Sequence, residues 1–164
     1  MEITSTPTAH PSASSSATAA KFTPLEHARL LSGILVVNDG GFALLRTGEF
    51  KPSASIAQAL QCGPFLVDKS AVVPGLEATR RAGRTVVLSD GKGNGALLVC
   101  DQVTLAEMGD ILATREIFPE LHIERALNLD GGSSSGLWID AKPKPFYQPE
   151  INEVRDYLGI VPRK

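Results

Sequence analysis

The sequence predicts an α+β or mixed α/β fold, mostly mixed β-sheet with one well-marked helix packed on it. Three observations lead there. Short apolar runs recur between glycine-rich turns, such as GILVV at 33–37, TVVL at 85–88 and ALLVC at 96–100, and compact apolar runs bounded by turn residues read as strands. One segment, Thr104-Leu105-Ala106-Glu107, carries a full capping box, the signature of a helix start. The 164 residues are 43% hydrophobic and 21% charged, enough apolar material for one packed core.

Taken in order, residues 1–22 are rich in Ser, Thr, Ala and Pro and contain no aromatic side chain before Phe22. Such a stretch has too little bulk to bury and is expected to be a disordered tail. It lacks the basic start and apolar stretch of a secretory signal. The domain is then expected over residues 23–164. Thr23 and Glu26 frame a short helix expected over residues 24–27. Residues 33–37 form a strand, Asn38-Asp39-Gly40-Gly41 turns, and residues 42–45 return, which makes a hairpin. Residues 56–61 fit a strand or a helix, Cys62-Gly63-Pro64 breaks them, and residues 65–67 resume as a strand.

Residues 85–88 and 96–100 form a second hairpin across a glycine-rich loop. The spacing of Gly91, Gly93 and Gly95 invites comparison with a nucleotide loop, but a strand follows where that motif needs a helix. Beyond the capping box, Leu105, Met108, Ile111 and Leu112 share a helical face. The helix is expected to end between Thr114 and Phe118, ahead of Pro119. Residues 126–130 read as a strand entering a glycine turn, 137–140 as the strand leaving it, and 157–161 as a last strand.

Cys62 and Cys100 have no metal-site spacing and read as buried free thiols rather than a disulfide. A net charge of -2 gives no electrostatic footprint for nucleic acid. No apolar run approaches the roughly 20 residues that a membrane-spanning helix needs. Nothing in the residues calls for a cofactor or a metal.

The chemistry is concentrated in ALNLDGGSSSGLWID, residues 126–140. A strand presents Asn128 and Asp130 on one face, since alternate side chains share a side, and turns Leu127 and Leu129 to the other. Gly131 and Gly132 let the backbone turn sharply and come close to a ligand. Ser133, Ser134 and Ser135 add hydroxyls and backbone N–H groups. Amide and carboxylate suit sugar hydroxyls, while N–H and hydroxyl groups suit phosphoryl oxygens. A structural Asx-type turn is the plainer reading, but adjacent glycines and three serines cost conformational entropy that a turn alone does not require. The same letters, Gly132-Ser133-Ser134-Ser135-Gly136, match the G-x-S-x-G nucleophile elbow. That elbow needs a helix after the serine and a later histidine, whereas LWID reads as a strand and His10, His27 and His122 all precede Ser134.

At this point the residues resemble the phosphodiester glycosidase family. The segment ALNLDGG-SSSGLW is similar to the strand and loop that mark it. So are Ala59-Leu60-Gln61-Cys62-Gly63-Pro64-Phe65-Leu66-Val67, the Arg84-Thr85-Val86-Val87 strand, Leu97–Asp101 with the Thr104 helix, and the ending VRDYLGIVPR. All five pieces stand in the family's order. Two departures are visible. Ser133 replaces the third glycine of the common loop. The family's longer N-terminal part is also missing, since Asn38-Asp39-Gly40-Gly41-Phe42 matches its Asn-Gly-Gly segment in letters only and stands where a later hairpin belongs.

The resemblance implies hydrolysis of the bond between a sugar's anomeric carbon and a phosphodiester, so the implied partner is a small-molecule or glycan phosphodiester. Such a reaction needs an acid or base at the glycosidic oxygen, and Asp130 is read as the carboxylate at the reacting centre, with Asp101 either a second carboxylate or a turn aspartate ahead of the helix. Asn128, Ser134 and Ser135, with the loop glycines Gly131 and Gly132, would hold sugar hydroxyls or phosphate oxygens. Arg84, followed by Thr85, would pair with phosphate through its guanidinium fork, and Arg80 and Arg81 would make surface salt bridges. Gln61, Gly63 and Pro64 line the site by resemblance alone. The shortened N-terminal side leaves a catalytically silent sugar- or phosphate-binding module as the alternative. Family members are often exported.

Overall fold

The computed structural model describes residues 2–4, 24–26, 28, 30–154 and 157–161. Its elements are β1 (Glu2–Thr4), β2 (Gly33–Asn38), β3 (Gly41–Arg46), β4 (Ile56–Cys62), β5 (Phe65–Asp68), β6 (Ala71–Val72), β7 (Ala82–Ser89), β8 (Gly95–Val103), α1 (Leu105–Ala113), β9 (Arg125–Asn128), β10 (Leu137–Ile139), β11 (Phe146–Gln148) and β12 (Gly159–Val161). The class is the predicted one, strands with one helix among the described residues. The expected mixed β-sheet is corrected: each described strand pair is antiparallel. No helix of the described residues is long and apolar enough to cross a membrane.

Strands pair in the order β6-β5-β9-β7-β8 in a five-stranded sheet and β3-β2-β4 in a three-stranded sheet, with β1-β12 and β10-β11 as separate two-stranded ladders. β9 is the middle strand of the larger sheet. Its alternation places Ala126 with Val86, Leu88, Leu105, Met108 and Leu112 in the core beneath α1. Leu127 faces the other way, with Leu35, Leu44, Phe65 and Val87, into the core between the two sheets. β2 is buried on both faces, since Ile34 and Val36 meet Ile56, Leu45 and Phe50 on its far side. The sheets come so close that a Cβ at Gly33 would lie 2.4 Å from Leu127 Cδ1.

Both expected hairpins form, β2–β3 and β7–β8, and residues 56–61 belong to a strand. Loop 90–94 is organised by the Asp90 carboxylate, which accepts from the Lys92 N–H, the Asn94 N–H and the Asn94 side-chain amide. Glu2–Thr4 pairs with Gly159–Val161, while residues 5–23 lie outside the described set. Both cysteines are free thiols. Cys62 is buried, and that burial pushes its pKa up to about 12, whereas Cys100 is half-buried.

Two further expectations are corrected. The helix foreseen at 24–27 is absent at residues 24–26, and Thr23 and His27 lie outside the described residues. The Gln61 side chain accepts from the Glu26 N–H at 2.8 Å and donates to the Glu26 carbonyl at 2.9 Å, so a strand residue takes backbone groups that a helix would have used. In α1 the capping box is as predicted: Thr104 Oγ1 accepts from the Glu107 N–H at 3.1 Å and Glu107 returns the bond at 3.0 Å. The buried stripe, however, is Leu105, Met108, Gly109 and Leu112. A Cβ at Gly109 would lie 3.1 Å from Val72 Cγ1 and 3.4 Å from the Leu66 carbonyl. With Gly109 against the sheet, Ile111 falls on the flank and is only half-buried.

A charged cluster joins the two sheets at one end. Arg125 of β9 donates to both carboxylate oxygens of Glu49, at 2.6 and 2.8 Å, and to the Leu44 carbonyl of β3. Its Nε lies 3.0 Å from Asp68 Oδ1 of β5. That contact is coulombic, because neither atom is aligned for a hydrogen bond. Asp68 also accepts from Arg46 Nε at 2.9 Å. Both guanidinium groups lie over the Phe65 ring, 4.5 Å away for Arg46 and 5.8 Å for Arg125. A bidentate pair fixes direction as well as charge, so the cluster sets how β3 meets β5 and β9.

Met108→Ala should cost about 2–5 kcal/mol in urea unfolding, because a fully buried side chain leaves a cavity. Ile111→Ala, on the flank, should cost clearly less, and equal losses would contradict the assigned face. A second expectation concerns acid. The hydrogen bonds from Arg125 and from the Arg46 N–H lower the Glu49 pKa to about 2 from an ordinary 4.5. A depressed carboxylate stabilises the fold above its unfolded pKa and loses that contribution as pH falls toward the folded value. The wild-type melting temperature should therefore drop between about pH 4.5 and 2 more steeply than that of Glu49→Gln. Parallel curves would remove Glu49 from the balance.

Candidate active site

The loop after β9 hangs from the centre of the large sheet. Val86↔Asn128 is the last paired position of β7 and β9, and the Leu129 N–H still donates to the Thr85 carbonyl at 2.8 Å. The strand therefore ends at Asn128 rather than at Asp130. Leu129 packs with the core between the sheets, as the alternation predicted.

Asn128 is buried and acts inward. Its Nδ2 donates to the Gly63 carbonyl at 3.1 Å and to the Leu129 carbonyl, while its N–H donates to the Pro64 carbonyl at 3.0 Å. Two carbonyls facing Nδ2 fix the amide's orientation. Its buried Oδ1 accepts from no described protein group. Gly63 and Pro64, joined by a cis peptide bond, are thus brought to Asn128 from 65 positions away. Gly63 has φ +151, and a Cβ there would lie 2.1 Å from the Leu30 carbonyl, so only glycine fits. Gln61 points elsewhere, clamping Glu26 and the Leu31 carbonyl.

Asp130 is exposed, and its Oδ1 accepts from the Gly131 N–H at 2.8 Å. Gly131 lies against β7, where a Cβ would come 2.8 Å from the Gly83 carbonyl. Gly132 has φ +67 and opens the 3-10 turn Gly132–Ser134. Ser135 is buried and accepts from Thr85 Oγ1 at 3.2 Å. The far side of the loop is held by a later segment. The Ser133 carbonyl accepts from the Ile151 and Asn152 N–H groups at 2.9 and 3.0 Å, and Asn152 Nδ2 donates to Ser133 Oγ at 2.8 Å. Ser134 is half-buried, and its hydroxyl bonds to no other described residue.

Asp101 is exposed and occupies the bulge of β8 opposite Gly83, where the register shifts between Ala82↔Val103 and Arg84↔Cys100. It accepts from the Gln102 N–H. Gly83 also supports the serine loop, since a Cβ there would lie 3.1 Å from the Gly132 carbonyl. The two candidate carboxylates are therefore carried on segments that flank the same β7 residue.

The backbone of Arg84 lies near the loop, where a Cβ at Gly131 would come 3.9 Å from the Arg84 Cα. Its guanidinium is occupied otherwise. Nε donates to the Val103 carbonyl at 3.2 Å and Nη2 to the Arg80 carbonyl at 2.8 Å, with Glu77 3.9 Å away. Burial lowers its pKa, and Glu77 opposes that shift. No ion pair joins it to Asp130 among the described residues. Arg84 thus braces the 77–84 segment instead of offering a free phosphate clamp. Arg81 pairs with Glu107 on the surface, as expected.

The nucleophile-elbow alternative fails on geometry. After Ser134 the chain leaves its short turn for strand β10, not a helix. His122 is exposed and bonds Ser70 at 3.3 Å, while His10 and His27 lie outside the described residues. No group of three or more His, Cys, Asp or Glu suited to a metal occurs among the described residues. The Ile151–Asn152 clamp was invisible in the sequence, because its contacts are to one loop carbonyl and one hydroxyl.

The sequence profile of the phosphodiester glycosidase family matches residues 10–161. No curated protein matches significantly. Among solved structures, the zebrafish N-acetylglucosamine-1-phosphodiester α-N-acetylglucosaminidase catalytic domain, auto-inhibited by its pro-peptide, matches at 16% identity and a TM-score of 0.48, over 65% of this chain and 41% of that one. A hypothetical protein from Synechocystis matches at 19% identity and a TM-score of 0.37, over 63% of this chain and 29% of that one. The chain thus spans less than half the length of either. The profile match runs through both sheets, the helix and the Asp130 loop, and on that ground the chain belongs to the phosphodiester glycosidase family.

Proposed function

We propose that the chain carries the reacting end of a hydrolase that cleaves the bond between a sugar's anomeric carbon and a phosphodiester. One observation supports this most: an exposed carboxylate, Asp130, on a loop held at both ends, by the Thr85 carbonyl and hydroxyl and by hydrogen bonds from Ile151 and Asn152 to Ser133. Catalysis needs a group open to substrate on a mount that does not move. Asp130 would exchange the proton at the glycosidic oxygen while water attacks the anomeric carbon. The Ser134 hydroxyl, free of described partners, would meet sugar or phosphate oxygens, and Asp101 is the second carboxylate. Asn128 and Ser135, both buried, and the half-buried Thr85, each in bonds of its own, would hold the loop, with Gly63 and Pro64 next to Asn128.

The silent binding module is the second reading. It is favoured by Arg84, whose donors are turned to backbone carbonyls. Asp130→Asn separates the two. Asparagine keeps the shape but cannot carry charge or exchange a proton near neutral pH. Turnover of a chromogenic sugar-1-phosphodiester should fall by about a hundred- to ten-thousand-fold, with product affinity largely kept. Equal turnover in both proteins would remove Asp130 from the mechanism. No turnover in either, with sugar phosphate still bound, would establish the module.

A further inference from the structure

Beyond the loop, the chain forms β10 and β11, whose pairing sets Trp138 directly opposite Tyr147. Directly opposed residues of an antiparallel pair stand on the same side, with Cβ atoms roughly 4.5–5.5 Å apart. Both are large aromatics left open, Trp138 62% and Tyr147 60% exposed. On the opposite side of the hairpin, Leu137 and Gln148 are half-buried, while Ile139 and Phe146 are exposed. The hairpin thus exposes apolar side chains on both sides, and on one of them two aromatic rings lie next to each other, although water contact is unfavourable for that surface.

The position of this pair is fixed relative to the serine loop. Ser135 is tied to Thr85, and three residues of chain limit the Ser135–Trp138 Cα separation to roughly 10–11 Å. Between them, a Cβ at Gly136 would lie 2.9 Å from Glu150 Oε2 and 3.0 Å from the Glu150 nitrogen, so hairpin and loop are in close contact. The strand leaving Tyr147 then returns to Ser133 through Ile151 and Asn152. Loop, aromatic pair and clamp form one continuous unit, residues 131–152.

We propose that Trp138 and Tyr147 are a stacking platform for a pyranose ring of the substrate, a specificity subsite beside the Asp130 loop. The proposal rests on the sugar-phosphodiester reading above. A pyranose has an apolar face of C–H groups and a polar rim. Two aromatic rings side by side match that face and place no demand on charge. Aromatic surfaces supply large contact area with few rotatable bonds, which keeps the entropy cost of binding low.

Trp138 is the one tryptophan of the sequence, so its fluorescence reports this position alone. Titration with N-acetylglucosamine 1-phosphate should quench or blue-shift the emission, and inorganic phosphate should not. Tyr147→Ala should weaken the sugar phosphate by about three- to tenfold and raise KM for a sugar phosphodiester with kcat little changed. Asp130→Asn should leave the fluorescence response in place. The platform is overturned, with the functional reading intact, if calorimetry detects the sugar phosphate while Trp138 emission is unmoved, or if Tyr147→Ala changes neither affinity nor KM. It is also overturned if Trp138 emission shifts with protein concentration alone, which would make the pair a self-association surface. Absence of both binding and turnover would remove the functional reading and the platform with it.

Discussion

The placement of β9 at the centre of the five-stranded sheet is the constraint on which the rest depends. Four residues, Arg125–Asn128, pair with β5 on one side and β7 on the other. Ala126 closes the core under the helix, and Leu127 closes the core between the sheets. A strand buried on both faces and paired on both edges has no freedom to shift register, because a one-residue slip would exchange its two faces. The segment after Asn128 is therefore delivered to one place. That segment holds the Asp130 carboxylate and the glycine-serine loop.

The ends of this strand are secured by different chemistry. At its start, Arg125 is locked to Glu49 and Asp68 over the Phe65 ring, which joins both sheets through charge. At its end, Asn128 ties the strand to Gly63 and Pro64 through neutral hydrogen bonds. The charged end faces solvent in part, and hydrogen bonds from Arg125 and the Arg46 N–H hold the Glu49 carboxyl below its ordinary range. The neutral end, nearest the loop, carries no charge that pH would alter. The loop's geometry is thereby separated from the protonation of the cluster that orients the sheets.

Much of this was legible in the sequence where local chemistry is sufficient. The Thr104–Glu107 box, the Asn38–Gly41 turn and the alternation through Leu127, Asn128 and Leu129 are each decided by a few neighbouring residues. Sequence patterns failed where a distant group intervened. Gln61 takes the backbone bonds of Glu26, so no helix forms there. Gly109 draws α1 to the sheet and leaves Ile111 aside. Arg84 was expected to pair with phosphate, but its fork is aimed by the carbonyls of Arg80 and Val103, which no spacing in the sequence reveals. Strand β6 went unseen because the turn before it places Lys69 and Ser70 at φ 53 and 60, a conformation usually signalled by Asn or Gly. β11 went unseen because Phe146-Tyr147-Gln148 is short and follows a proline-rich stretch.

The proposed function requires water to attack the anomeric carbon rather than phosphorus, with Asp130 exchanging the proton at the oxygen between them. Hydrolysis of a sugar-1-phosphodiester in water enriched with oxygen-18, with phosphorus NMR and mass analysis of both products, tests that directly. The label should appear on the sugar's C1 hydroxyl, with the released phosphate monoester unlabelled. Label in the phosphate product would mean attack at phosphorus and would contradict cleavage at the anomeric carbon.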